Sequence, residues 1–145
     1  MTPPAAFLIA AFGFCSLSAP AAAGELAGPV KAAVVRVVDG DTLAVRAQIW
    51  VDQEIDVKVR LADADAPELY RPRCEAEKAP ARAARDRLRV LAGEEVQLAD
   101  IRHDKYAGRV AARVLTQDGV DVGGVLIEDG LAIPQGGAKP WCVAG

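Results

Sequence analysis

The 145-residue sequence has little histidine or cysteine, no excess of positive charge and no long apolar run. With one histidine and three cysteines, a zinc site with several such ligands is nearly excluded. A serine–histidine–aspartate mechanism would depend on His103 alone. No apolar run has the length of a membrane-spanning helix, which disfavours an integral membrane protein. The net charge of −3 disfavours a generally basic nucleic-acid coat protein.

The composition is that of a folded chain, because 52% of the residues are apolar and 26% are charged. The length suits one domain of ordinary size. Aromatic side chains are scarce, and those that follow residue 23 are Trp50, Tyr70, Tyr106 and Trp141. This scarcity disfavours a binding mode that depends on stacked aromatic platforms.

Residues 1–23 differ from the rest because they carry no charged side chain. An apolar stretch over 7–18, followed by small residues at 21–23, is typical of a signal peptide and its cleavage site. We therefore predict a signal peptide over 1–23 and a periplasmic or secreted protein with no membrane anchor after processing. The alternatives are a buried amino-terminal helix and lipidation at Cys15, which the bulky Phe14 disfavours.

Export also changes the interpretation of the cysteines. Removal of the leader leaves a predicted linker over 24–31 and a domain over 32–145, with Cys74 and Cys142 as its cysteines. Two cysteines in an oxidising compartment usually pair, so we predict a disulfide between them. Two unpaired thiols are the alternative.

Three strands are predicted in succession. A β-branched run over 34–38 leads to the turn at 39–41, and a second apolar segment runs over 42–50. Apolar and polar residues then alternate over 55–62, as in a half-buried strand. Together these segments predict a β-meander.

A helix is predicted after the third strand. Pro80 suits its first turn, apolar residues over 81–91 form one stripe, and Gly93 is placed to end it. The remaining predicted elements are strands over 94–101 and 110–116 and a short carboxy-terminal helix over 122–129. This order predicts a mainly β (α+β) domain: a five-stranded OB-fold β-barrel with a helix between strands 3 and 4. Other small α+β domains share the order.

Two acidic clusters follow strands, one at 39–42 (Asp-Gly-Asp-Thr) and one at 63–68 (Asp-Ala-Asp-Ala-Pro-Glu). Hard divalent cations prefer oxygen ligands, so such clusters are candidates for a cation site. Arg60 precedes Asp65 by five residues, and Arg109 opens the fifth predicted strand. Guanidinium groups beside a carboxylate-bound cation form a phosphate site. Each acidic cluster taken alone is also typical of an ordinary turn. Each arginine taken alone could instead form a structural salt bridge.

The order of these motifs resembles the staphylococcal nuclease (thermonuclease) family. The motifs are DGDT from Asp39, R-x-x-x-x-D-x-P-E from Arg60, D-K-Y-x-G-R from Asp104 and G-L-A from Gly130. The resemblance extends over residues 34–132. It implies a thermonuclease-like OB-fold domain with Ca²⁺ as its cofactor. The implied activity is hydrolysis of DNA and RNA that leaves 3′-phosphate ends.

The resemblance also implies a role for each matching residue. Asp41, Asp65 and the backbone carbonyl of Ala66 resemble the calcium ligands, and Glu68 resembles the general base that activates water. Arg60 and Arg109 resemble the arginines that clamp the phosphate.

The remaining matches concern the nucleotide. Lys105 and Tyr106 resemble residues that contact it, although Ala107 is one residue more than the family pattern has before Gly108. Asp39 is assigned a supporting role. His103 is not needed by this mechanism and is interpreted as an exposed loop residue.

A basic segment follows Glu68. Residues 69–89 hold seven basic and three acidic side chains, although the whole chain is acidic. This segment predicts a basic rim beside the site, and a solvated helix face is the alternative.

Two other functions remain open. One is a non-catalytic OB-fold binder of single-stranded nucleic acid or oligosaccharide, and the other is an envelope interaction or stress protein with a vestigial site. The retained acidic and basic site residues favour the enzyme, and we expect a monomer that takes DNA and RNA as substrates.

Overall fold

The computed structural model describes residues 24–142, so the predicted signal peptide over 1–23 lies outside the described residues. Within the described range, the strands are β1 (Glu25–Leu26), β2 (Val30–Asp39), β3 (Thr42–Trp50), β4 (Gln53–Leu61), β5 (Ala64–Asp65), β6 (Glu95–His103), β7 (Arg109–Leu115) and β8 (Ile133–Pro134). The helices are α1 (Lys78–Ala92), which follows a 3₁₀ turn at Glu75–Glu77, and α2 (Val122–Glu128).

Five of the strands close into a barrel. Strand β2 pairs antiparallel with β3 and with β6, and β3 pairs antiparallel with β4. Strand β4 pairs in parallel with β7, and the β6–β7 pairing closes the sheet. Helix α1 connects the third and fourth strands of this barrel, and α2 is the short helix near the carboxyl end. The prediction of a five-stranded OB-fold β-barrel is therefore confirmed.

The core follows the two periodicities of the sequence. Leu43, Val45 and Ala47 of β3 are buried and alternate with more exposed residues, as a pleated strand requires. Helix α1 buries a stripe that includes Ala84 and Leu88. Its buried alanines let the helix backbone approach the end of the barrel closely.

The predicted linker over 24–31 is in part a strand. Glu25 pairs with Arg102 and Leu26 with Ile101, and Val30 already pairs with Leu98 of β6. A two-residue strand is too short to carry an alternating pattern, and its order comes from backbone hydrogen bonds to β6. Strand β2 likewise begins at Val30, before the β-branched run over 34–38 from which it was predicted, because its first residues pair with β6.

The carboxy-terminal tail crosses back over the loop that follows β5. Strand β8 pairs with β5, which places Ile133 opposite Asp65. Farther along, a disulfide joins Cys74 to Cys142, with 5.9 Å between their Cα atoms. The predicted disulfide is thus confirmed. None of the helices in the described range is both long enough and apolar enough to span a membrane.

Candidate functional site

The two acidic clusters are in direct contact, although Asp41 and Ala66 are 25 residues apart in sequence. The backbone N–H of Ala66 donates a hydrogen bond to Oδ2 of Asp41 at 3.0 Å. The N–H of Leu61, at the end of β4, donates to the backbone carbonyl of Asp41 at 2.9 Å. Closure of the barrel therefore brings the β2–β3 turn beside the segment that carries Asp65.

The turn fits this position because residue 40 is glycine. A Cβ atom at Gly40 would lie 2.7 Å from the Cβ atoms of both Ala66 and Ala84, which is too close for carbon atoms. Asp39 supports the same turn, since its Oδ1 accepts a hydrogen bond from the N–H of Asp41 at 3.2 Å. Helix α1, the turn and the second acidic cluster are thereby packed together.

The guanidinium group of Arg60 lies between the two candidate metal carboxylates. Its Nη1 is 3.2 Å from Oδ2 of Asp41, and its Nη2 contacts Oδ1 of Asp65. Asp41 and Asp65 are both buried, each with 5% of the residue's surface exposed. The other oxygen of Asp65 accepts a hydrogen bond from the N–H of Gly136 at 3.3 Å, so the tail also contacts this group.

The charge on Asp41 is incompletely compensated. Burial raises the pKa of Asp41 to about 6, although the attraction of Arg60 acts to lower it. The neighbouring carboxylate of Asp39 contributes to the rise. The environment of Asp41 can therefore accommodate more positive charge than Arg60 supplies.

A cleft of about 740 Å³ opens beside these carboxylates. It is lined by residues from β4, from β5 and the loop after it, from the β6–β7 turn and the start of β7, and from the tail: Arg60, Asp65, Glu68, Arg71, Arg73, Asp104, Lys105, Tyr106, Arg109, Gln135 and Lys139. The cleft thus brings together Glu68, both predicted phosphate-clamping arginines and both predicted nucleotide contacts. Asp41 and Ala66 are buried behind it.

The β6–β7 turn holds Arg109 beside Tyr106. The guanidinium carbon of Arg109 is 4.6 Å from the centroid of the Tyr106 ring, and its Nε contacts Oδ2 of Asp104. The additional residue Ala107 therefore does not separate the ring from the arginine. Burial acts to raise the pKa of Asp104, but hydrogen bonds from Arg109 and the N–H of Lys105 outweigh it and hold the pKa below its usual value.

Sequence reasoning missed Glu77, which is fully buried next to the loop that carries Glu68. Oε1 of Glu77 accepts a hydrogen bond from the backbone N–H of Glu68 at 3.0 Å. Its Oε2 accepts one from the backbone N–H of Arg73 at 2.6 Å. The available signal was an acidic residue just before a predicted helix, where carboxylates are common. Nothing in its spacing indicated loop N–H groups as partners.

The basic segment over 69–89 divides into two parts. Arg85, Arg87 and Arg89 on α1 form ion pairs with Asp86 or Asp129, which agrees with a solvated helix face. Arg71 and Arg73 line the cleft, which agrees with a basic rim.

One other sequence interpretation is modified by the structure. His103 is exposed as predicted, but it is the last residue of β6 and pairs with Val110, so it is not in a loop. Its place in the strand follows from backbone pairing with β7, which the sequence pattern did not reveal. Trp141 is half-buried outside the cleft lining, whereas Lys139 of the same tail lines the cleft.

Cys74, Cys142 and Glu77 lie close enough together to suggest a metal site. The two sulfur atoms are bonded to each other, however, and therefore do not offer thiolates to a metal. The oxygen-rich group of Asp41, Asp65 and Ala66 remains the better candidate.

The fold and the cleft define an OB-fold domain with a charged groove. A family model described as staphylococcal nuclease homologue matches residues 58–139. Because this match covers more than half of the 145 residues, the chain belongs to the staphylococcal nuclease homologue family. Comparison with curated proteins gives no significant match. The family supports a nuclease-like or nucleic-acid-binding role.

Proposed function

We propose that the protein is an exported, Ca²⁺-dependent nuclease that hydrolyses phosphodiester bonds of DNA and RNA. The observation that carries this proposal is the Asp41–Arg60–Asp65 group, whose two carboxylates are buried beside a cleft lined by Glu68 and Arg109. Family membership supports the same class of activity.

The donor set fits Ca²⁺. Asp41 and Asp65 offer carboxylate oxygens and Ala66 offers its backbone carbonyl, and oxygen ligands are those that Ca²⁺ prefers. The guanidinium of Arg60 lies between these carboxylates, and it would turn toward the phosphate when Ca²⁺ is bound there. When bound, Ca²⁺ would draw negative charge from a phosphate and make its phosphorus a better electrophile.

The side chains of the cleft supply the remaining chemistry. Glu68 accepts a proton from the attacking water as the new P–O bond forms. Arg60 and Arg109 donate hydrogen bonds to the phosphate oxygens and stabilise the charge that accumulates on them. The P–O5′ bond breaks and its oxygen takes up a proton, so the products carry a 3′-phosphate and a 5′-hydroxyl group.

The β6–β7 turn carries the proposed nucleotide contacts and also orients Arg109, one of the two phosphate-binding arginines. Lys105 and Tyr106 are exposed on the cleft wall, where they can contact the nucleotide next to the phosphate. Tyr106 also stacks against Arg109 and limits the orientations of the guanidinium. A bound nucleotide would therefore meet a clamp that is already oriented.

Export is supported by the disulfide, because such bonds persist in oxidising compartments and are rare in reducing ones. The non-catalytic OB-fold alternative is weaker. Among the described residues, Tyr106 is the one aromatic side chain that lines the cleft. Binders of single strands usually stack several bases on aromatic side chains.

Protein produced with its leader tests the proposal. Plasmid DNA and single-stranded RNA are incubated with it in Ca²⁺, in Mg²⁺ or in a chelator, and the product ends are analysed. We expect cleavage in Ca²⁺, 3′-phosphate ends and little activity in Mg²⁺, which is smaller and demands stricter octahedral geometry. Equal rates in the two metals, or cleavage in chelator, would contradict the metal assignment. The Glu68→Gln variant controls for a contaminating nuclease.

A further inference from the structure

The cleft has the opposite charge to the protein that contains it. Six of its lining side chains are basic and three are acidic, a net charge of +3, whereas the whole chain carries −3. Arg60, Arg109 and Lys105 already have proposed roles at the scissile nucleotide. The other three basic residues, Arg71, Arg73 and Lys139, have none, and we call them the flanking cluster.

The flanking cluster is exposed and unpaired. Within residues 24–142, none of its three side chains has a carboxylate oxygen within 4.0 Å. The basic residues Arg85, Arg87 and Arg89 of α1, by contrast, all have carboxylate partners. Cations that face one cleft without counterions repel one another and favour the binding of an anion. The cluster therefore has the charge of an anion site.

Two segments build the flanking cluster, and the fold fastens them together. Its arginines lie in the loop over 69–73, where the buried carboxylate of Glu77 holds the backbone N–H of Arg73. Lys139 lies in the tail, which begins at the β5–β8 pairing. The Cys74–Cys142 disulfide joins the far ends of the loop and the tail. The position of Lys139 relative to the arginines thus depends on this bond.

We propose that the flanking cluster is a second phosphate-binding subsite, which holds backbone phosphates next to the scissile one in a nucleic-acid strand. This inference rests on the proposed function, because it takes the scissile phosphate to lie between Arg60 and Arg109. A strand with several phosphates occupies both subsites, whereas a substrate with one phosphodiester group occupies only the catalytic one. The flanking cluster therefore selects polynucleotides over small phosphodiesters, and the disulfide assembles it.

The test measures binding separately from hydrolysis. A fluorescent single-stranded oligonucleotide of about 16 nucleotides, near the upper site size of one OB fold, is titrated onto Glu68→Gln protein in Ca²⁺. The test variant adds Arg71→Ala, Arg73→Ala and Lys139→Ala. The matched control instead removes three exposed charges that do not line the cleft and that have no carboxylate partner in the described part of the chain: Lys31→Ala, Arg36→Ala and Arg82→Ala.

We expect the test variant to bind at least about tenfold more weakly at ~0.1 M salt, and the control variant to bind within about twofold of the parent. The slope of log affinity against log salt should become shallower by about 2 in the test variant, since each phosphate contact on a single strand contributes roughly 0.7. Thermal melting first checks that the test and control variants are both folded. Equal affinity of the two folded variants would overturn the proposed subsite. Lys139→Glu alone provides a second, milder variant, and unchanged affinity there would argue equally against it.

Hydrolysis of bis(p-nitrophenyl) phosphate separates this inference from the proposed function. With Glu68 restored, the test variant should hydrolyse this single phosphodiester at the wild-type rate. A wild-type protein that hydrolyses nothing, together with a tenfold loss of oligonucleotide binding in the test variant, would refute the nuclease and keep the subsite. The Cys74→Ser/Cys142→Ser variant should lose part of the same affinity, and full affinity there would refute the role given to the disulfide.

Discussion

The backbone N–H of Glu68 donates a hydrogen bond to the fully buried carboxylate of Glu77 at 3.0 Å. The same carboxylate accepts a hydrogen bond from the N–H of Arg73. One side chain therefore holds both ends of the loop segment over 68–73. A proposed general base thus has its backbone fixed by a group that does not line the cleft. We therefore propose that Glu77 is a positioning residue for Glu68.

Replacement of Glu77 should separate positioning from metal binding. Glu77→Gln keeps one oxygen acceptor but presents an amide N–H₂ to the second loop N–H, so we expect kcat to fall at least about tenfold, because small displacements of a catalytic group are costly. The Ca²⁺ concentration for half-maximal activity should stay within about twofold, since Asp41 and Asp65 are unchanged. Steady-state kinetics with a Ca²⁺ titration measure both quantities.

The matched control is Glu75→Gln, which removes an exposed carboxylate two residues away whose one ion pair among residues 24–142 is with Lys78. Its kinetics should equal those of the wild type. Glu77→Ala leaves both loop N–H groups without this partner and should lower the free energy of unfolding by about 2–4 kcal/mol in a urea titration. Wild-type kcat in a folded Glu77→Gln protein would show that the loop does not need this carboxylate.

The catalytic assignments predict unequal effects at three positions. Glu68→Gln removes the proton acceptor and Arg109→Ala removes a phosphate donor, so each should lower kcat by at least about 10²-fold. His103→Ala should change kcat little, because His103 is exposed at the end of β6 and is not among the cleft-lining residues. Single-turnover cleavage of a labelled oligonucleotide provides the rates. An inactive His103 variant beside an active Glu68→Gln would refute the mechanism.

The sequence predicted those parts of the molecule that depend on local pattern. The alternation in β3 and the apolar stripe in α1 are local, and both elements lie where the pattern placed them. The short strands β1 and β8 carry no such pattern, because their order comes from pairing with β6 and β5. Glu77 was missed for the same reason, because its contact with the N–H of Glu68 arises from the tertiary fold and leaves no local sequence pattern.

At the site, the residue types were predictable but their pairing was not. Family motifs indicated Asp41, Arg60 and Asp65, yet nothing in their spacing predicted that the guanidinium of Arg60 would lie between the two carboxylates. Likewise, the charge of the segment over 69–89 was evident. Which of its arginines face the cleft depended on where α1 begins, and the fold decides that position.

The disulfide should account for a large part of the stability of this small domain. It closes a loop with a sequence separation of 68 residues, and chain-entropy arguments assign about 4 kcal/mol to a loop of that length. We expect Cys74→Ser/Cys142→Ser to unfold at a lower urea concentration by a corresponding amount. Wild-type protein under a strong reductant is the control and should match the double variant. Equal midpoints for the oxidised wild type and the variant would contradict this prediction.

Asp41 should destabilise the metal-free protein at neutral pH. Its pKa is raised to about 6 from an ordinary value of 3.8, so the folded state favours the protonated carboxyl more than the unfolded state does. Below about pH 4 the group is protonated in both states and costs nothing. Above about pH 6 it is ionised in both, and a difference of about 2 pKa units corresponds to roughly 3 kcal/mol lost from the free energy of unfolding.

Asp41→Asn removes this pH dependence because an amide does not ionise. In chelator at pH 8, the variant should therefore melt at a higher temperature than the wild type, whereas the two should melt together near pH 4. Addition of Ca²⁺ at pH 8 should stabilise the wild type and leave the variant unchanged, since binding to the native state alone raises stability. Asp63→Asn removes an exposed carboxylate of the second acidic cluster; it is the control and should show neither effect. A variant that melts below the wild type at pH 8 in chelator would mean that Arg60 already compensates the charge of Asp41.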